Sequence, residues 1–138
     1  MSKYQYAPDA FVLEGPKAGG HLGFSAEELT KPEYQLEVLL PQVVQAAREI
    51  GREAGKEIPV IAAGGVYTGA DIYALQQLGA SAVQMATRFV ATEECDAHDK
   101  FKQAYLNCKQ EDIAIIQSPV GLPGRAILND FLTQPKQV

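Results

Sequence analysis

Pro59-Val60-Ile61-Ala62-Ala63-Gly64-Gly65-Val66, with Thr68 and Asp71 just beyond it, is the stretch that decides how this chain folds. From Ile58 to Ala63 the residues are apolar without alternation, which is how a strand covered on both faces reads, and a glycine pair then breaks the run. Thr68 can cap a helix whose positive end Asp71 favours. Ile72, Leu75 and Leu78 recur at helical spacing on its inner side, and Gly79 stops it. Strand, glycine turn and amphipathic helix make one βα unit.

The neighbouring segments repeat the unit. Upstream, Ala10-Phe11-Val12-Leu13 is a short apolar run that halts at Glu14-Gly15-Pro16 and enters a glycine-rich loop, Ala18-Gly19-Gly20-His21-Leu22-Gly23. Ser25-Ala26-Glu27-Glu28 has the form of a capping box, and Lys31-Pro32 interrupts the short helix it starts. From Pro41, placed for the first helical turn, Val43, Val44, Ala47 and Ile50 form an apolar stripe, with Arg48, Glu49 and Arg52 on the wet face and Gly51 and Gly55 near the end. Downstream, Ala82-Val83-Gln84-Met85-Ala86 predicts a third strand, followed by Thr87-Arg88-Phe89 and a helix over Asp96–Cys108 with Phe101, Ala104 and Tyr105 on one face. The tail carries a brief apolar run, Ile113–Ile116, and Ser118-Pro119-Val120-Gly121-Leu122-Pro123-Gly124-Arg125 is read as too rich in Pro and Gly for either regular element.

Apolar strands alternating with helices predict an α/β fold with a parallel sheet covered by helices. Three such strands are fewer than the about five of a doubly wound domain, and a (β/α)8 barrel needs about 250 residues, so the 138-residue chain is expected to be part of a larger barrel. An open parallel edge would then leave inner residues such as Val60 and Val83 exposed.

Composition narrows the function classes. With 46% hydrophobic residues the chain is globular, and no run approaches the roughly 18 apolar residues of a membrane span. The start, Met1 to Tyr6, has no apolar core of a secretory signal. Twelve Lys and Arg against 17 Asp and Glu give a charge of −5, without the basic stripe that nucleic acid or anionic lipid would need. Two cysteines, Cys95 and Cys108, are too few for a disulfide framework and fit a reducing, cytoplasmic setting. Cys95, His98 and the acids around them lack a second cluster at ligand spacing, so no metal site is expected, and His98 reads as a solvated helix-start residue.

In a parallel sheet the loops that follow strands gather at the C-terminal edge, where barrels bind their ligands. Gly64-Gly65 precedes a helix and leaves N–H groups for a phosphate, although a tight turn needs the same residue type. Ala86-Thr87-Arg88 adds a hydroxyl and a guanidinium after the next strand. His21, flanked by glycines, could act as a general base or donor, or simply bond a loop carbonyl.

Four segments, Glu14–Gly23, Pro59–Val66, Gly79–Phe89 and Ser118–Arg125, resemble in order the motifs of the nitronate monooxygenase (2-nitropropane dioxygenase) family. FMN-dependent enoyl-acyl-carrier-protein reductases and NADH:quinone reductases share much of the pattern. The resemblance implies the C-terminal part of an FMN-binding (β/α)8 TIM barrel over residues 1–138, its three strong strands being the last three and the earlier ones absent. It implies a flavoprotein in which FMN passes electrons between a nitronate and O₂, giving a carbonyl compound and nitrite. His21 would be the active-site histidine that accepts the substrate's α-proton; Gly64, Gly65, Ala86 and Thr87 would hold the FMN phosphate, with Gly19, Gly20 and Gln84 as further flavin contacts. Alternatives of the same resemblance are NAD(P)H-dependent reduction of a quinone or enoyl thioester, or a non-catalytic half-barrel, with activity expected of the complete protein rather than of this chain alone. Expected partners are a small-molecule substrate, NAD(P)H for the reductase alternative, and either a second copy or the missing barrel half. Lys17 departs from the acidic residue common in the family, and Ala86 from a glycine.

Overall fold

The Ile58–Ala63 run supplies the middle strand of a parallel sheet, as its unbroken apolar character predicts. The structure, a computed structural model, describes residues 6–118 and 120–133. Met1–Gln5, on which the secretory-signal expectation rests, and Pro119 of the Pro/Gly-rich tail lie outside the described residues. In chain order the elements are β1 (Phe11–Glu14), β2 (Gly20–His21), α1 (Leu36–Ala54), β3 (Val60–Ala63), α2 (Gly69–Gln77), β4 (Ala82–Gln84), α3 (Thr87–Val90), α4 (Asp99–Asn107), β5 (Ile113–Gln117), β6 (Pro123–Ile127) and α5 (Asp130–Thr133). They divide into two compact units, one comprising the chain up to Ala18 together with Glu27–Met85, the other Gly19–Ala26 and the chain from Ala86 onward.

The first unit is a three-stranded parallel sheet in the order β1-β3-β4, with Phe11 opposite Val60 and Ala62 opposite Val83. Because side chains alternate across a strand, Phe11, Leu13, Val60, Ala62 and Val83 share one face. That face joins the core formed by Leu36, Leu40, Val44, Ala47, Ile58, Val66 and Leu75. Leu40, the fully buried leucine of this set, contributes about 1.5–3 kcal/mol. The opposite face carries Val12, Glu14, Ile61, Ala82 and Gln84, and Val12 is 56% exposed. The uncovered side chain is therefore Val12, not the expected Val60 and Val83: Val60 is buried and Val83 packs on the core, because their register turns both toward the helices.

α1 begins five residues earlier than its proline suggests. Gln35, extended at φ −64° and ψ 145°, is the N-cap, and Pro41 lies inside the helix. A proline there forfeits the hydrogen bond to the carbonyl four residues back. Starting at Leu36 instead buries Leu36 and Leu40, extending the stripe of Val44 and Ala47 by a turn while Pro41 faces solvent. The Ser25 capping box does not start a helix either. Two 3₁₀ turns, Glu28–Thr30 and Pro32–Tyr34, occupy this stretch, and neither has a side-chain cap. α2 follows its sequence signals closely: Thr68 Oγ1 accepts from the Asp71 N–H, and the Asp71 carboxylate accepts from the Thr68 N–H at 2.7 Å.

The second unit is antiparallel, in the order β2-β6-β5. Ser118–Arg125, expected to be irregular, opens β6 with Pro123–Arg125, and Ser118, Gly121 and Leu122 are bonded in the turn before it. Ser118 N–H donates to the Leu122 carbonyl at 3.0 Å and Gly121 N–H to the Ser118 carbonyl at 2.9 Å. Gly121 has φ +86°, which a side chain would strain. Pro123 stands at the first position of its strand, where a missing donor is tolerated. α4 starts at Asp99, three residues later than expected, with His98 as N-cap accepting from the Lys100 N–H. Among the described residues no helix is long and apolar enough to cross a membrane.

Candidate active site

Two clusters of predicted site residues form, one in each unit. In the first, β3 ends in Gly64 and Gly65, at φ +92° and +84°. A Cβ on Gly64 would stand 3.0 Å from the Gly15 carbonyl oxygen, and one on Gly65 would stand 2.8 Å from Lys17 Cβ. The pair is therefore required by the turn itself, the structural reason the sequence left open beside the phosphate one. Among the described residues the Gly65 and Val66 N–H groups have no acceptor, which leaves them available to an anion. A cavity of about 120 Å³ opens here, lined by Lys17, Glu37, Gly64, Gly65 and Asp71 among others. The Asp71 carboxylate accepts from Tyr67 and Thr68 N–H at 3.1 and 2.7 Å. The Thr68 backbone and hydroxyl, then the Tyr67 N–H, hold that carboxyl below the usual range, with a smaller contribution from Lys17. Gln84 ends β4 with an exposed side chain on the sheet face opposite the helical core.

In the second unit β2 pairs with β6, Gly20 opposite Arg125 and His21 opposite Gly124. His21 Nε2 lies 2.7 Å from Ser118 Oγ, a partner 97 residues away. Ser118 is 7% exposed and its Oγ also accepts from the Val120 N–H. The partner is thus a hydroxyl, not the loop carbonyl of the plainer reading. A hydroxyl donates and accepts, so it can hold the ring in either protonation state. Beside His21 is a pocket of about 410 Å³, lined by Leu22, Gly23, Phe24, Ser25, Leu122 and Pro123. Its walls are largely apolar, with the imidazole as the principal polar group, a composition suited to a small organic substrate. Gly19 is exposed with open space where a side chain would stand, as is Gly20. Ala86 (φ −124°, ψ −62°) and Thr87 are exposed at the start of the single-turn α3; the negative φ shows that the Cβ of Ala86 costs the backbone nothing there. Burial lowers the pKa of the half-buried Arg125 guanidinium.

Gly64 and Gly65 thus meet Lys17, and His21 meets Ser118. Neither Lys17 nor Ser118 is marked as a site residue by its local sequence. Ser118 opens the Ser118–Arg125 segment, but no local spacing links it to a histidine 97 positions earlier. Among the described residues no group of three His, Cys, Asp or Glu side chains gathers to hold a metal.

Residues 2–138 match the family model for nitronate monooxygenase. A probable nitronate monooxygenase from Staphylococcus haemolyticus is 38% identical over 131 residues, covering 94% of this chain and 34% of that protein. One from Staphylococcus aureus is 35% identical over 134 residues, with the same coverage. Among solved structures, FabK from Thermotoga maritima superposes with a TM-score of 0.68 at 34% identity, over 90% of this chain and 34% of the other. Nitroalkane oxidase from Streptomyces ansochromogenes gives 0.64 at 34% identity, with equal coverage. The chain spans about a third of the length of the curated relatives it matches.

Proposed function

Because this chain belongs to the nitronate monooxygenase family, we propose that the complete protein is an FMN-dependent oxidoreductase that converts nitronates and O₂ into carbonyl compounds and nitrite. Bound flavin supplies the electron transfer from nitronate to O₂. The observation that carries the reading is the His21–Ser118 pair beside an apolar pocket. His21 accepts the α-proton of a neutral nitroalkane; both ring nitrogens are then donors, and Ser118 Oγ accepts from Nε2. Leu22, Phe24 and Leu122 exclude water from the alkyl part of the substrate. The residues at Gly64–Gly65 fit a phosphate, since two N–H groups there lack acceptors. For Gly19, Gly20, Gln84, Ala86 and Thr87 the flavin contacts are those the resemblance implies.

The uncovered sheet face supports a second element of the reading. Parallel sheets bury both faces, so further βα units of the complete protein close over Val12, Glu14 and Gln84. These 138 residues are then the C-terminal portion of a (β/α)8 barrel.

Purified complete protein should show flavin absorbance and release nitrite from propyl-2-nitronate with O₂ uptake. The alternative that the same resemblance implies is reduction of an enoyl thioester or quinone by NAD(P)H. NADH oxidation dependent on such an acceptor, with no nitrite from nitronate, would select it. Protein without flavin after incubation with FMN would exclude both.

A further inference from the structure

We propose that Lys17 is the cationic contact for the flavin phosphate, closing over the Gly65 and Val66 N–H groups; this rests on the flavin reading above. The stem of Lys17 lies on Gly65: a Cβ built there would meet Lys17 Cβ at 2.8 Å, Cδ at 3.1 Å and Cγ at 3.5 Å. A lysine lying along a glycine turn places its ammonium near that turn, and Gly65 leaves room for it. Lys17 also lines the small cavity with Gly64, Gly65 and Val66, and is the one cation among the lining residues, against the two acids Glu37 and Asp71.

Those acids make a cation necessary. The positive end of α2 is already occupied, because the Asp71 carboxylate takes the Tyr67 and Thr68 N–H groups. A phosphate arriving at Gly65 would find two unpaired N–H donors but also a nearby carboxylate. Its dianion would be repelled unless a positive charge were interposed. Lys17 lies close enough to Asp71 to act on that carboxylate electrostatically. A flexible ammonium suits this role, since it can turn from the carboxylate toward the incoming oxyanion.

The experiment compares FMN with riboflavin, which lacks the phosphate, by quenching of flavin fluorescence on the full-length apoprotein and its Lys17→Gln and Lys17→Arg variants. Lys17→Gln should weaken FMN binding about 10- to 100-fold, the loss of one charged hydrogen bond, and leave riboflavin affinity unchanged. Lys17→Arg should retain most of the FMN affinity, and added salt should weaken FMN binding to wild type more than to Lys17→Gln. Unchanged FMN affinity in Lys17→Gln overturns the proposal. Equal loss for both flavins also overturns it, assigning Lys17 to packing over Gly65. A wild type that binds neither flavin removes the flavin reading itself and this inference with it, an outcome distinct from either variant result.

Discussion

In the unit built on β1, β3 and β4, ten buried residues from Leu36 to Ala80 form one continuous apolar core. In the unit built on β2, β6 and β5, Ile113, Ile115 and Leu122 are more than 40% exposed, and order rests on ladder hydrogen bonds, the hairpin turn and the His21–Ser118 bond. The first region is organised by burial, which is non-directional and tolerant. The second is organised by polar geometry, which is directional and lost when one partner is removed. The proposed catalytic histidine belongs to the region with the thinner core, whereas the phosphate turn belongs to the well-packed one. Stability and chemistry are therefore expected to respond to different substitutions.

The largest expected effect is on chemistry. In the complete protein, His21→Asn should lower turnover of neutral nitroalkanes about 10²–10⁴-fold while sparing much of the activity on pre-formed nitronates, which have no α-proton to lose. Stopped-flow rates on the two substrates read this out. Equal loss on both would move His21 from proton transfer to binding.

Next comes the core. Leu40, fully buried, should cost about 2–5 kcal/mol as Leu40→Ala, whereas Ile115→Ala on the exposed face of β5 should cost under about 1 kcal/mol. Urea unfolding of both variants is the measurement, and comparable losses would erase the contrast between the units.

Gly65→Ala tests the overlap of fold and site. The positive φ alone should cost about 1–2 kcal/mol, and the contact with Lys17 Cβ adds to it, so the melting temperature of the apoprotein should fall together with FMN affinity. An unchanged melting temperature would mean the turn relaxes more freely than its geometry indicates.

The smallest effect concerns the α2 cap. Thr68→Ala should cost about 0.5–2 kcal/mol. The Asp71 carboxyl is held below its ordinary value of 3.8, so its contribution is present above that pH and lost as pH falls through the lower folded value. Asp71→Asn should therefore destabilise at neutral pH and match wild type in strong acid. A difference that persists unchanged in acid would place the effect in packing instead of charge.

The strands β1, β3 and β4, the Thr68–Asp71 cap, the glycine turn and the helix-start role of His98 were all legible in the residues, because each depends on neighbours within a few positions. Periodicity and capping are local, and the chain states them directly. The start of α1 was not legible, since a proline in the sixth helical position is tolerated only where two leucines find a core across the sheet. Nor was β6: its Pro and Gly read as loop until Ile113–Gln117 and Gly20–His21 provide the ladders that flank it. The partners of the candidate site residues have the same origin. Ser118 meets His21 across 97 positions, and Lys17 covers Gly65 from a different strand end. By itself the sequence determined the residue types, the βα rhythm and the family; the tertiary structure decided which distant polar groups meet, because hydrogen bonds and close contacts are set by three-dimensional registry that no local pattern encodes.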